Sequence, residues 1–256
     1  MSWYTLSFFS DILHRDTECF IAAPEQVGSD CRTVYLLHGG GGGAGIDHRD
    51  FLPVRGKIQE WAEHYRTVFV MPCAPDSFFC NSCEGVRYRD FVIEELIGRI
   101  QGLLPVSKDR EMTAAAGMSM GGTSAFYLGL GAPEKIGWIG CFCSGNLWVS
   151  PLSNRVHRYA LQHVFGVERI EDIKGTRFDI FTLAEGLVKE GRPLPHIFHA
   201  CGQEDHGLVH AHETSLWFKE HGTMFDYTYN EPETGGHNFE FMCCWMEQFL
   251  QKFCLR

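Results

Sequence analysis

The sequence predicts an α/β fold with a mainly parallel central sheet and helices on both faces. Two patterns carry that expectation: short β-rich runs alternate along the chain with longer stretches whose apolar residues recur every three or four positions. A third observation sets the scale. A chain of 256 residues, 45% hydrophobic and 21% charged, has the size and balance of one well-packed domain that buries roughly 70–75% of its unfolded surface. We therefore expect a single domain over residues 1–256.

Strands are expected near Cys19–Ala22, Thr33–Leu37, Thr67–Met71, Thr113–Ala116, Ile136–Phe142, His196–Ala200 and Phe225–Tyr229. Helical spacing marks Lys57–Tyr65, Tyr88–Leu103, Met120–Gly129, His210–His221 and Phe239–Phe253 between them. The stretch from about 145 to 192 breaks the rhythm, opening with Ser144-Gly145-Asn146 and containing Pro151 and a helical Phe178–Val188 run. It is expected to form a small lid insertion above the C-terminal edge of the sheet, where loops border the ligand crevice.

Composition removes several function classes. A net charge of -10, with no basic run, argues against a nucleic-acid partner, whose phosphates require clustered Lys and Arg. No stretch of about 18 apolar residues occurs, and Met1–Leu6 lacks a cationic segment followed by an apolar one, so no membrane association and a cytoplasmic location are expected. Of the eleven cysteines, those in Cys141-Phe142-Cys143 and Cys243-Cys244 sit in apolar runs and read as small buried hydrophobes. Cys80 and Cys83 have C-x-x-C spacing without a second ligand pair, which favours reduced thiols in a surface loop over a metal or redox centre.

Chemistry enters at Gly117-Met118-Ser119-Met120-Gly121, a G-x-S-x-G run after an expected strand and before an expected helix. The motif demands a serine on a strained turn, with glycines where neighbouring backbone closes in. Alone it arises by chance in about one chain of this size in ten, so partners decide its meaning. They follow in order: Asp205 ends the loop Cys201-Gly202-Gln203-Glu204-Asp205 after a strand, and His237 follows Gly235-Gly236 before the last helix. Ser119 is expected as nucleophile and His237 as general base, since imidazole can take the serine proton and return it to a leaving group. Asp205 is expected to orient that imidazole, with Glu204 as the competing acid, and the two glycines are expected to permit a tight approach of His237 to Ser119.

The glycine run after Leu36-Leu37-His38 is placed to supply one oxyanion donor, with Gly40 N–H first and Gly41 second; Met120 N–H would supply the other. A phosphate-binding reading of those glycines fails for want of a following G-K-[ST]. His196, His199, His206, His210 and His212 form a sequence cluster, but a polar helix face explains them better than a metal. No metal and no cofactor are expected. Trp138, Trp148, Phe78, Phe79 and Phe239 are candidates for an aromatic-tolerant pocket.

These blocks resemble the esterase D (Putative esterase) family and, within it, tributyrin-esterase-like bacterial carboxylesterases. The likeness runs through Phe8–Leu13, Leu37–Gly40, Pro72–Phe79, Gly117–Gly122, Leu194-Pro195, Cys201–Asp205 and Gly236–Phe241. It implies the α/β-hydrolase fold, cofactor-free hydrolysis of short-chain acyl esters, including acetylated or hydroxycinnamoylated sugars, a small-molecule partner and a homo-oligomer. The chain departs from the family in carrying His206-Gly207 where an aromatic is common, and Asn238-Phe239 after the histidine. Two alternatives stand beside esterase activity: a thioesterase of the S-formylglutathione hydrolase kind, and a non-catalytic binding protein on a hydrolase scaffold.

Overall fold

A computed structural model describes residues 1–40, 47–149 and 159–254. Eight strands, β1 (Ser2–Ser10), β2 (Arg15–Ala23), β3 (Arg32–Leu37), β4 (Thr67–Pro72), β5 (Thr113–Met118), β6 (Trp138–Phe142), β7 (His196–Ala200) and β8 (Tyr227–Asn230), form one sheet. Their spatial order is β1-β2-β4-β3-β5-β6-β7-β8. β2 runs antiparallel to both of its neighbours, β1 and β4, and every neighbouring pair from β4 to β8 is parallel.

The apolar runs explain the layering. Every residue of β4 and of β6 is buried, as expected of strands covered on both faces. Along β3, Val34 and Leu36 face a core shared with Trp61, Met246 and Phe249, while Tyr35 and Leu37 face one shared with Phe91, Ile97 and Phe126. The first core is closed by helices α1 (Arg55–His64) and α6 (Phe239–Cys254). The second is closed by a helical run α2 over 88–103, widened by a π segment at Phe91–Leu96, and by α3 (Met120–Gly131) and α4 (Ile180–Glu190). α5 (Leu208–Glu220) contributes Ala211 to one core and Phe218 to the other.

The chain leaves β3, pairs at β4 on one side, then crosses to β5 on the other. Such a reversal opens a crevice at the C-terminal strand ends. Ser119 follows β5 there, Asp205 follows β7 and His237 follows β8.

Some expected boundaries move. Strand β6 begins at Trp138 because Ile136 N–H still donates to Ala132 O and Gly137 N–H to Arg110 O. Strand β8 begins at Tyr227 because Phe225 N–H closes a turn on Gly222 O. The N-terminal strand β1 was not expected: it is an edge strand with most residues exposed or half-buried, so no apolar face marks it in the sequence. Among the described residues, no helix is long and apolar enough to cross a membrane.

Part of the 145–192 segment, residues 150–158, lies outside the described residues. Its remainder is tied down by Asp179, which is 2% exposed. That carboxylate accepts from Asn146 Nδ2, Trp148 Nε1 and Thr182 Oγ1, each at 2.8 Å, and from the N–H groups of Gly175 and Phe181 at 2.9 and 3.1 Å. Burial alone would raise its pKa; these donors outweigh burial and hold the carboxyl below its ordinary value.

Candidate active site

Ser119 occupies a left-handed backbone conformation, φ 61° and ψ -127°, between β5 and α3. For a residue with a Cβ this costs on the order of 1–3 kcal/mol and persists only when surrounding contacts impose it. Here Ser119 N–H donates to Phe142 O at the end of β6 (3.0 Å), and Ser119 O accepts from Gly122 N–H (2.9 Å) and Thr123 N–H (3.2 Å). The motif glycines answer to β3. A Cβ on Gly121 would collide with the Leu37 carbonyl and sit 2.9 Å from His38 O, and one on Gly117 would collide with Leu37 O as well.

The glycine loop expected to supply an oxyanion donor lies against the same turn. A Cβ on Gly39 would be 3.8 Å from Ser119 Cβ, and one on Gly40 would be 3.1 Å from Met120 Sδ. Gly40 and Met120, the two expected donors, are thus neighbours; Gly41 lies outside the described residues. His38, fully buried, braces the loop: Nδ1–H donates to Gly39 O (2.8 Å), and Nε2 accepts from Ala74 N–H (3.1 Å). Accepting at Nε2 requires the neutral ring, and burial pushes its pKa down to about 4. The sequence reading did not assign His38 this role, although its place before the glycine run was the available signal.

Asp205, 5% exposed, places both carboxylate oxygens 3.0 Å from His237 Nδ1. Its Oδ1 also accepts from Gly207 N–H at 2.6 Å, and the Cys143 thiol donates to the same carboxylate. Burial raises its pKa, but the bonds from His237, Cys143 and Gly207 together prevail and hold it below the ordinary value. Glu204 instead accepts from Gly235 N–H at 3.2 Å. With Nδ1–H committed to Asp205, His237 Nε2 is the ring atom left to serve as base. The His206 ring lies 4.1 Å from that of His237, centroid to centroid.

A continuous path joins the two halves. Phe142 O takes the Ser119 N–H, and the next residue, Cys143, reaches Asp205. Among the described contacts the Ser119 hydroxyl and the His237 ring are not hydrogen-bonded to each other, and such bonds often tighten only when substrate binds.

Several expectations change. Cys143 is buried, yet it is a polar partner of Asp205 rather than only a small hydrophobe. Of the glycines before His237, Gly235 serves packing: at φ 123° a Cβ on it would run into the Phe241 ring, and a Cβ on Gly202 would collide with Gly235 O. Trp138 is not near Ser119. It pairs with Ala114 at the opposite end of the sheet and packs on Phe253 and His196. Phe78 and Phe79 are buried against Phe165 and His38. Cys80 is buried and only Cys83 is exposed, so the pair is not one surface feature; both are free thiols.

The five clustered histidines separate. His196 binds Asp226 at 2.8 Å, His199 is buried between Tyr227 OH and Ser144 O, His210 binds Asn146 O, and His212 binds Glu231. A cavity of about 480 Å³ between α3 and α4, lined by Tyr127, Leu130, Arg177, Phe178 and Leu187, is distinct from these residues.

The sheet order and the serine turn are those of the α/β-hydrolase fold. Residues 75–175 match the family model described as Putative esterase. Across 94% of both chains, the protein is 27% identical to an acetyl esterase of Caldicellulosiruptor saccharolyticus. Among solved structures it is similar to the Staphylococcus aureus fluorophosphonate-binding serine hydrolase FphF, with TM-score 0.82, 19% identity and coverage of 99% and 98% of the two chains. It is likewise similar to the S-formylglutathione hydrolase FrmB of the same organism, with TM-score 0.80, 18% identity and coverage of 99% and 98%. These likenesses agree on the fold and support an esterase reading of the Ser119 turn.

Proposed function

We propose that the protein is a serine carboxylesterase that cleaves short-chain acyl esters through an acyl-Ser119 intermediate, with acetyl esters as its preferred substrates. The observation that carries the reading is the Asp205 carboxylate set symmetrically on His237 Nδ1, 3.0 Å from each oxygen, beside a serine held in a strained turn. His237 Nε2 takes the hydroxyl proton as Ser119 Oγ attacks the ester carbonyl carbon. The resulting oxyanion accepts from the N–H groups of Gly40 and Met120, each worth about 2.7–4 kcal/mol by analogy with other oxyanion holes. Collapse expels the alcohol, which receives the proton from His237; water then repeats the sequence and releases the acid.

The acetyl preference rests on the acetyl esterase relative. Within a single domain, the 145–192 segment is proposed as a lid over the alcohol side, an assignment supported by the anchoring of Asn146 and Trp148 on Asp179 close in sequence to β6. Hydrolysis of p-nitrophenyl acetate, its octanoate homologue, methyl ferulate and a formyl thioester tests the reading. The acetate should turn over fastest, and Ser119→Ala should abolish all four activities. Substantial activity in Ser119→Ala overturns the nucleophile, and a dominant thioester rate overturns the substrate class.

A further inference from the structure

Away from the triad, Asp47, His48 and Cys73 bring one oxygen, one nitrogen and one sulfur donor within 4.8 Å of one another. Asp47 caps the short 3-10 turn that His48 opens, and Cys73 follows directly on β4. His48 is fully buried, and neither of its ring nitrogens makes a hydrogen bond. An orphaned buried polar group costs on the order of 1–3 kcal/mol, so the position calls for a partner. Two carboxylates face the ring from opposite sides: Asp47 Oδ1 lies 3.6 Å from Nδ1, and Glu18 Oε1 lies 3.3 Å from Nε2. Cys73 is half-buried and the Glu18 side chain 42% exposed, which leaves a route from solvent.

We propose that this cluster binds a zinc-class divalent cation, with Asp47 Oδ1, His48 Nδ1 and Cys73 Sγ as ligands and Glu18 accepting the His48 Nε2–H. The mixed oxygen, nitrogen and sulfur set selects zinc, cobalt or a similar ion over calcium or magnesium, which take oxygen. Metal–ligand bonds of about 2.0–2.3 Å put tetrahedral donors about 3.3–3.8 Å apart. The Asp47–His48 separation of 3.6 Å already fits, and Cys73 closes the remainder by side-chain rotation. A carboxylate on the far ring nitrogen is the usual means of orienting a metal-bound histidine. Asp47 Oδ1 accepts from Arg49 N–H at 2.8 Å and from Arg49 Nε at 3.0 Å, and Oδ2 accepts from Nε at 3.0 Å and from Arg49 Nη2; the Nε bond to Oδ1, which Nε shares with Oδ2, is the one the ion displaces. On binding, the Cys73 thiol proton leaves to solvent.

Cobalt(II) titration of the metal-free full-length protein tests the site. One equivalent should bind with a thiolate-to-cobalt charge-transfer band in the near ultraviolet, and zinc should displace it. Cys73→Ser should remove the band, Glu18→Gln should weaken binding about 10–100-fold, and Ser119→Ala should bind as the wild type does, which separates this outcome from the esterase reading. Cys73 and Glu18 are not core residues, and circular dichroism confirms that both variants fold. Absence of saturable binding overturns the site. So does a band that survives Cys73→Ser, or one that is lost instead in Cys143→Ser, since Cys143, Cys201 and Asp205 form the other thiol-bearing cluster among the described residues.

Discussion

Asp205 concentrates three different donors on one buried carboxylate: an imidazole N–H, a backbone N–H and a thiol. The His237 bond fixes the tautomer that leaves Nε2 free, so Asp205→Asn presents the wrong hydrogen-bonding partner to Nδ1–H while preserving shape. Steady-state kinetics on p-nitrophenyl acetate should show kcat reduced on the order of 10³–10⁴-fold in Asp205→Asn with little change in KM. Glu204→Gln should leave kcat near wild type, because Glu204 binds Gly235 rather than the imidazole. The sequence exposed Asp205 and His237 because both follow strand ends in an order that the serine motif makes meaningful. It hid Cys143, whose reach to Asp205 depends on β6 and β7 lying side by side, a fact no local pattern encodes.

At the level of elements, the turn carrying Ser119 was legible because its constraints are local: Gly117 and Gly121 flank the serine in sequence and both answer to the β3 backbone in space. The buried parallel strands were legible as continuous apolar runs. β1 was not, because a half-exposed edge strand needs no apolar face, and its nine residue pairs with β2 follow from the hairpin rather than from patterning. Trp138 failed as a pocket candidate for a related reason. Composition places Trp138 on a strand without saying which end of the sheet it occupies, and it lies at the end away from Ser119. Gly235 shows the converse, a conformational demand at positive φ that serves packing against Phe241.

For the molecule as a whole, two buried neutral histidines couple folding to pH. His38 and His199 are both fully buried, and burial pushes each pKa from 6.5 down to about 4. The unfolded chain takes up protons as pH falls through about 6.5, whereas the folded chain does so only near 4, so this stability is complete above 6.5 and is lost between those values. Each ring contributes up to about 1.4 kcal/mol per pH unit in that window. Urea unfolding at pH about 7, 6 and 5 should give a steadily falling free energy; a flat profile would show that the rings are charged in the fold. The depressed carboxyls Asp179 and Asp205 act lower, their stabilisation being lost only as pH falls below about 3.8. The same single sheet that buries those rings carries Ser119, Asp205 and His237, the proposed nucleophile, acid and base, on separate strand ends, and the proposed mechanism requires them to converge. Mapping a fluorophosphonate adduct by peptide mass spectrometry tests it most directly. A single adduct on the peptide containing Ser119, formed by the wild type and lost in His237→Ala, is the expected result; an adduct on another serine, or ester turnover with Ser119 unlabelled, would contradict it.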